Sequence, residues 1–173
     1  VDATALLWRL GLENVDVGTR FEGVADEWEA VLDRERGFYA FNDFHAAMAF
    51  AATGRHDSLA RVAANVREAA GGRGTNAAMS REVGVPLVEG VVAFGDARYA
   101  DAIAAIEPVR DIAHRFGGSH AQRDILTLTL IEAALRSGDA ARARHYVAER
   151  LVHKPRSDWG HRLARRAEAL GRH

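Results

Sequence analysis

The sequence predicts an all-α fold of stacked antiparallel helix hairpins, an α-solenoid. An apolar helix, a glycine, a short polar stretch and an alanine-rich helix follow one another at Gly54, Gly95 and Gly138. These glycines recur about every 40 residues, a period typical of repeats that cannot bury their apolar faces alone. The one strand-like alternation, Thr127-Leu-Thr-Leu, lies inside a long helical pattern.

Composition limits the class of protein. With 173 residues and 48% apolar content, the chain is long enough for one continuous core. It has no cysteine, which excludes disulfides and thiolate zinc sites and fits a cytoplasmic location. No stretch approaches the ~20 apolar residues of a membrane span, and the net charge of −1 argues against nucleic acid as a partner.

The first half predicts four helices. Residues 2–12 and about 19–34 carry apolar residues at helical spacing, and Gly37 follows the second helix. Asn42 or Asp43 is expected to cap a third helix that ends at Gly54. Asp57 or Ser58 is expected to cap a fourth helix that runs to about residue 70. The glycine-rich stretch 71–75 is expected to be a flexible loop.

The second half predicts further helices over about 80–94, 97–107, 120–137, 140–153 and 158–170. We expect an interruption near Val85-Pro86 and a kink at Pro108, because proline lacks the backbone N–H. Ser119 and Gln122 form a capping-box pattern, and Asp139 is expected to cap the next helix. The last helix is basic. Its basic residues are His161, Arg162, Arg165, Arg166 and Arg172.

These elements group into repeat units of one domain spanning residues 1–173. The units cover roughly residues 1–36, 42–70, 80–116 and 119–153, and a terminal helix follows at 158–170. Because the chain begins with Val1 rather than Met, we expect it to be a fragment of a longer protein.

The junction at Gly138 resembles a tetratricopeptide repeat. Small and apolar residues precede the turn glycine, an Asp and an Ala follow it, and a proline closes the unit. The residues that match are Leu130, Ala134, Asp139, Ala143 and Pro155. The resemblance implies a right-handed superhelical array, although the repeats here are longer than the usual unit.

Four segments resemble the C-terminal half of the tetratricopeptide repeat protein 38-like family. They are Leu7-Trp-Arg-Leu with Val15-Asp-Val-Gly, Phe41-Asn-Asp-Phe-His, Gly117-Gly-Ser-His-Ala-Gln-Arg-Asp and Leu130-Ile-Glu-Ala-Ala-Leu. Members of this family have additional helical hairpins before this region. The resemblance therefore implies a divergent tetratricopeptide fold in a longer chain, but it carries no established reaction.

Two polar clusters are the candidate ligand-binding residues. Each opens the first helix of a hairpin, and in a solenoid such helices line the concave, ligand-binding face. The clusters comprise Asn42, Asp43 and His45, and Ser119, His120, Gln122, Arg123 and Asp124. The alternative interpretation is structural. Asn42, Asp43 and Ser119 have a sufficient role as helix caps, and Arg123 and Asp124 are suited to an ion pair with another helix.

The same clusters contain groups suited to metal binding or acid–base chemistry, namely His45, His120, Asp43 and Asp124. However, the sequence lacks the closely spaced histidine motifs of metal sites, so it predicts no metal and no cofactor. An acid–base His–Asp pair stays open as an enzymatic alternative.

The leading functional prediction is a scaffold that binds a protein or peptide through its concave face. The alternative is an enzyme or metal-dependent small-molecule site at the His45 and His120 clusters. A third hypothesis is a homodimer formed through the aromatic residues of the first quarter. Those aromatic residues are also suited to packing between helices. They are Trp8, Trp28, Phe38, Tyr39, Phe41 and Phe44.

Overall fold

The computed structural model describes residues 1–171, a range that is mostly helical and contains no β-strand. The all-α class predicted from the sequence is therefore confirmed. Among the helices of this range, none combines the length and apolar character that a bilayer span requires. Arg172, which was predicted to belong to the basic C-terminal end, lies outside the described residues.

The helices follow one another with short connections. A π-helix (Ser80–Gly84) joins α5 to α6, and 3-10 helices (Glu107–Val109 and Ala113–Phe116) follow α7. The α-helices are α1 (Asp2–Leu12), α2 (Arg20–Val31), α3 (Ala40–Thr53), α4 (His56–Ala70), α5 (Thr75–Met79), α6 (Val85–Gly95), α7 (Tyr99–Ile106), α8 (His120–Arg136), α9 (Ala140–His153) and α10 (Asp158–Leu170).

Successive helices pack as hairpins: α3 on α4, α6 on α7, and α8 on α9, with α10 packed on α9. Gly54 and Gly138 lie in the connections with φ angles of 66° and 79°, a left-handed conformation that glycine adopts without strain. At the third junction the left-handed residue is Ala97, with φ of 57°, and Gly95 is the last residue of α6. The glycine predicted to form this turn therefore has another role.

That role is close packing between parallel helices. A Cβ atom on Gly95 would lie 3.1 Å from the Cβ of Ala51, and one on Gly84 would lie 2.7 Å from the Cβ of Ala40. From the first pair to the second, both residues move back along the chain by the same number of positions. α3 therefore runs parallel to the segment from the π-helix to α6. Small residues at these contacts allow the two backbones to approach closely.

Helix formation around Pro86 differs from the prediction. The helix was expected to start near Ser80 and to be interrupted at Val85-Pro86, yet the chain stays helical from Thr75 to Gly95. Proline has no N–H group, and its ring clashes with the carbonyl group one α-helical turn earlier. The wider π-helical turns directly before Pro86 relieve this conflict, and the chain therefore continues without a break.

The predicted start of α8 is confirmed. Ser119 Oγ accepts a hydrogen bond from the Gln122 amide at 3.2 Å, and Gln122 Oε1 accepts one from the Ser119 amide at 2.7 Å. Asp139 likewise caps α9 by accepting a hydrogen bond from the Arg142 amide at 2.9 Å.

The predicted caps of α3 and α4 are wrong. α3 begins directly after Tyr39 and α4 directly after Arg55, in both cases without a side-chain cap. Asn42 and Asp43 therefore lie inside the first turn of α3, as Asp57 and Ser58 do in α4. At α3 the reason is burial, because the helix starts early enough to bring Ala40 and Phe41 into the core.

α2 is attached by apolar packing and by ion pairs, and Val24 and Trp28 pack against the core. It ends at Val31 rather than near residue 34, and only Phe21 and Ala25 of this helix are buried. Arg55 at the start of α4 forms ion pairs with three α2 carboxylates. The partners are Glu22 at 2.9 Å, Asp26 at 2.6 Å and Glu29 at 2.8 Å.

α1 joins distant parts of the chain. The buried Trp8 donates its indole N–H to Thr129 Oγ1 of α8 at 3.0 Å. The Trp8 ring centroid lies 5.4 Å from that of Phe94 in α6, and α1 also packs on α3. Beyond α1, Glu13 accepts a hydrogen bond from Trp159 of α10. One continuous apolar core therefore extends from α1 to α10.

We expect Gly84→Ala to lower the free energy of unfolding by about 1–3 kcal/mol, because the new methyl group would overlap Ala40 on the neighbouring helix. The matched control is Gly23→Ala on α2, where a Cβ would meet no atom within 4 Å. That change should raise the free energy of unfolding by up to ~1 kcal/mol through helix propensity. Urea unfolding measures both, and stabilisation by both substitutions would contradict the close packing described.

Candidate functional site

The two predicted polar clusters lie near each other, at the starts of α3 and α8. The rings of Phe41 and Phe116 are 5.1 Å apart, and a Cβ on Gly118 would lie 2.7 Å from the Phe41 ring. Aromatic packing therefore occupies much of the space between the two helix starts.

His45 is buried, with 1% of its surface exposed. Its Nδ1 lies 2.7 Å from the carbonyl oxygen of Phe41. A carbonyl only accepts hydrogen bonds, so Nδ1 carries the proton and Nε2 is left as a buried acceptor without a partner among the described residues. Burial lowers the pKa of His45 to about 4, and the Val1 amino group and Arg9 lower it further, against the Phe41 hydrogen bond and Asp2.

His120, in contrast, is exposed at the start of α8. Its Nδ1 lies 3.5 Å from Nη2 of Arg123. The two histidines predicted as a pair thus lie in different surroundings, one in the core and one in solvent. Within residues 1–171, no group of three or more His, Cys, Asp or Glu side chains is arranged to hold a metal ion.

The remaining residues of the α8 cluster mostly stabilise the helix start and its packing. Ser119 and Gln122 form the capping box, and Gln122 Nε2 also lies 3.5 Å from Asp2 Oδ1 of α1. Arg123 donates hydrogen bonds to the carbonyl groups of Gly117 and Gly118.

Asp124 forms an ion pair between helices, as expected. It accepts hydrogen bonds from Arg150 of α9 at 3.1 Å and from Lys154, which directly follows α9, at 2.6 Å. Adjacent residues of one helix point in different directions, so Asp124 faces α9 while Arg123 bonds the carbonyl groups that precede α8.

Asp43 is the unusual member of the α3 cluster. It is 7% exposed, and its Oδ2 has no hydrogen-bond partner among the described residues. Burial, with a smaller contribution from the charge of Glu35, raises the pKa of Asp43 to about 7. Glu35 itself accepts a hydrogen bond from Asn42 at 3.3 Å. Buried groups with shifted pKa values are candidates for function, although neither Asp43 nor His45 lines any of the clefts described below.

One side of α3, α6 and α8, the first helices of their hairpins, was expected to bind a ligand, and we call it the inner face. α1 covers this face. Trp8 lies between Phe94 of α6 and Thr129 of α8, and 6% of its surface is exposed. The aromatic residues at the start of the chain are thus mostly packing residues. Phe38, which is 75% exposed, is the exception.

An open surface lies on the outer side, in a cleft of about 530 Å³ lined by α4, α6 and α7, which we call the outer groove. About half of its lining residues are small or apolar, namely Leu59, Ala60, Ala63, Val92, Ala93 and Ala105. Charged residues also line the groove. Arg67 pairs with Glu89 at 2.8 Å, and Arg98 pairs with Asp101 at 2.7 Å.

The outer groove was not predicted from the sequence. Its only signal was the recurring alanine-rich second helix, which is equally typical of close packing between helices. Which alanines pack and which stay open depends on the distance between α4 and α7, and no local pattern encodes that distance.

Comparison with known proteins adds no assignment: no family model matches the chain, and no solved structure matches it. The resemblance to the tetratricopeptide repeat protein 38-like family stays a prediction based on the quoted sequence segments.

Asp43→Asn should stabilise the protein at alkaline pH. The pKa of Asp43 is 3.8 ordinarily and about 7 in the folded chain. As pH rises through this window the unfolded chain loses the proton first, so this group lowers stability by about 4 kcal/mol in total. The variant should be more stable than wild type at about pH 8 and equal at about pH 4. Urea unfolding at both pH values tests this, and equal stability at both would contradict it.

His45→Asn should remove a pH dependence of stability that is opposite in sign to the one caused by Asp43. The pKa of His45 is 6.5 ordinarily and about 4 in the folded chain. Between these values the unfolded chain binds the proton more tightly, so stability falls by about 3 kcal/mol as the pH is lowered. The variant should be less stable overall, because it leaves a small cavity, but its stability should change less between about pH 6.5 and 4. Parallel slopes for variant and wild type would argue against this account.

Proposed function

We propose that the chain is a tetratricopeptide-like scaffold, a right-handed superhelical array of antiparallel helix hairpins that binds a segment of a partner protein. The hairpins α3–α4, α6–α7 and α8–α9 and the parallel packing of α3 on α6 support the proposal. Stacked hairpin repeats contact their neighbours in this way. The resemblance of the sequence to the tetratricopeptide repeat protein 38-like family supports it further.

The observation that carries the choice of binding surface is the position of α1. Trp8 fills the inner face, and freeing that face would expose a buried indole and break its hydrogen bond to Thr129. The outer groove, by contrast, is already open. We therefore place the partner segment there rather than on the concave face.

The outer groove has features suited to a polypeptide. Ala60, Ala63 and Ala105 have short side chains, so a partner backbone can approach the groove closely. The volume of about 530 Å³ is enough for several side chains. The paired charges, Arg67 with Glu89 and Arg98 with Asp101, provide polar groups beside this apolar wall.

Ala60→Trp should block partner binding. Ala60 is exposed on α4 and lines the groove, so an indole there would fill the groove without disturbing the core. The matched control is Ala141→Trp, at an exposed alanine of α9 that does not line the groove. Peptides selected from a random display library on the wild type should bind Ala60→Trp at least about tenfold more weakly than wild type. They should bind the control as tightly as wild type.

Fluorescence anisotropy of the labelled peptides measures these affinities. Selected peptides that bind all three proteins equally, or a library that yields no binder to the wild type, would contradict the proposal. Both tryptophan variants must first show a wild-type circular dichroism spectrum and unfolding midpoint.

A further inference from the structure

A second cleft has a different character, and we call it the aromatic pocket. It holds about 210 Å³ and lies where α1, α3, α6 and α8 end. Aromatic rings and small residues form its walls, and one charged side chain lines it. The lining residues are Trp8, Gly11, Leu12, Phe21, Ala51, Ala52, Phe94, Gly95, Tyr99 and Arg136.

The charged group, Arg136, is held in a fixed position. Its Nε donates to Glu132 Oε1 at 2.8 Å. Its guanidinium carbon lies 5.2 Å from the centre of the Phe94 ring and 5.9 Å from that of Tyr99. Stacking and ion pairing together fix the plane of the guanidinium, while the side chain stays 29% exposed.

The charge around Arg136 is incompletely balanced. Glu132, which is 2% exposed, also pairs with Arg166 of α10 at 2.9 Å. Two guanidinium groups thus share one buried carboxylate, and among residues 1–171 no acidic side chain lines the pocket. A cationic ligand would be repelled by Arg136, whereas a carboxylate would supply the second negative charge and accept hydrogen bonds in the planar geometry that guanidinium favours.

The volume limits the size of the apolar part. A cavity of ~150 Å³ lined by apolar residues binds benzene. A pocket of about 210 Å³ therefore accommodates one aromatic ring, or an alkyl chain of similar bulk, together with a carboxylate.

We propose that the aromatic pocket binds a small monocarboxylic acid, with its aryl or alkyl group against Trp8 and Phe94 and its carboxylate on Arg136. This site is separate from the outer groove, and the inference does not depend on the scaffold function.

Three probes of the same shape test the ligand class: phenylacetate, the neutral phenylacetamide and the cationic 2-phenylethylamine. Each is titrated into the ¹⁵N-labelled protein, and the amide signals of Gly11 and Gly95 and the Nε–H signal of Arg136 are followed. Phenylacetate should shift all three signals in a saturable manner. The amide should bind at least about tenfold more weakly because it carries no charge, and the amine should show no saturable shift.

Arg136→Met should weaken phenylacetate binding by about tenfold or more, because it removes the charge but keeps an apolar stem in the pocket. The matched control is Arg98→Met, at an arginine of the outer groove that pairs with Asp96 and Asp101. The control should bind phenylacetate as wild type does.

Gly11→Leu is a second variant, and it should fold as the wild type does. A Cβ on Gly11 would meet no atom within 4 Å, and leucine favours helix more than glycine does. The added side chain should occlude the pocket and abolish binding. Three results would each overturn the proposal: no saturable shift with phenylacetate, equal affinity for the acid and its amide, or undiminished binding to Gly11→Leu.

Discussion

The packing of Trp8 is the interaction on which the rest of the structure depends. Its indole contacts Phe94 of α6 and donates a hydrogen bond to Thr129 of α8, so one side chain joins helices from three parts of the chain. A buried tryptophan contributes a large apolar area, and the paired N–H avoids the cost of an unsatisfied donor. Because α1 is fixed in this way, the inner face is filled, and the larger open surfaces lie elsewhere.

The first helices of the hairpins, α1, α3, α6 and α8, have a different chemical environment at each of their two ends. Their starts bring together the polar clusters of α3 and α8, and their ends form the aromatic pocket. Close contacts at Gly84 and Gly95 fix the register of α3 against α6, and hence which residues meet at each end. The local chemistry of both ends therefore depends on two glycines, of which Gly84 lies in neither site and Gly95 lines the aromatic pocket.

Asp43 and His45 illustrate how a helix boundary determines chemistry. Had α3 begun at Asn42 or Asp43, these polar side chains would have capped exposed amides. The helix begins instead at Ala40, so Asp43 enters the core without a partner for Oδ2, and His45 is buried beside Phe41. Burial shifts the two pKa values in opposite directions, because it disfavours the charged form of an acid and of a base alike.

Local sequence patterns were enough to predict the all-α class, most helix positions, and the caps at Ser119 and Asp139. Those features follow from apolar spacing, glycine and capping chemistry, which act within a few residues of one another.

Which residues form open surfaces follows from the packing of the helices. The outer groove depends on the distance between α4 and α7, and the aromatic pocket combines residues from six helices, α1, α2, α3, α6, α7 and α8. The π-helix before Pro86 and the early start of α3 were likewise decided by packing, which outweighs local capping and proline preferences. Contacts between segments far apart in sequence leave no local pattern, and so the candidate sites emerged only from the folded chain.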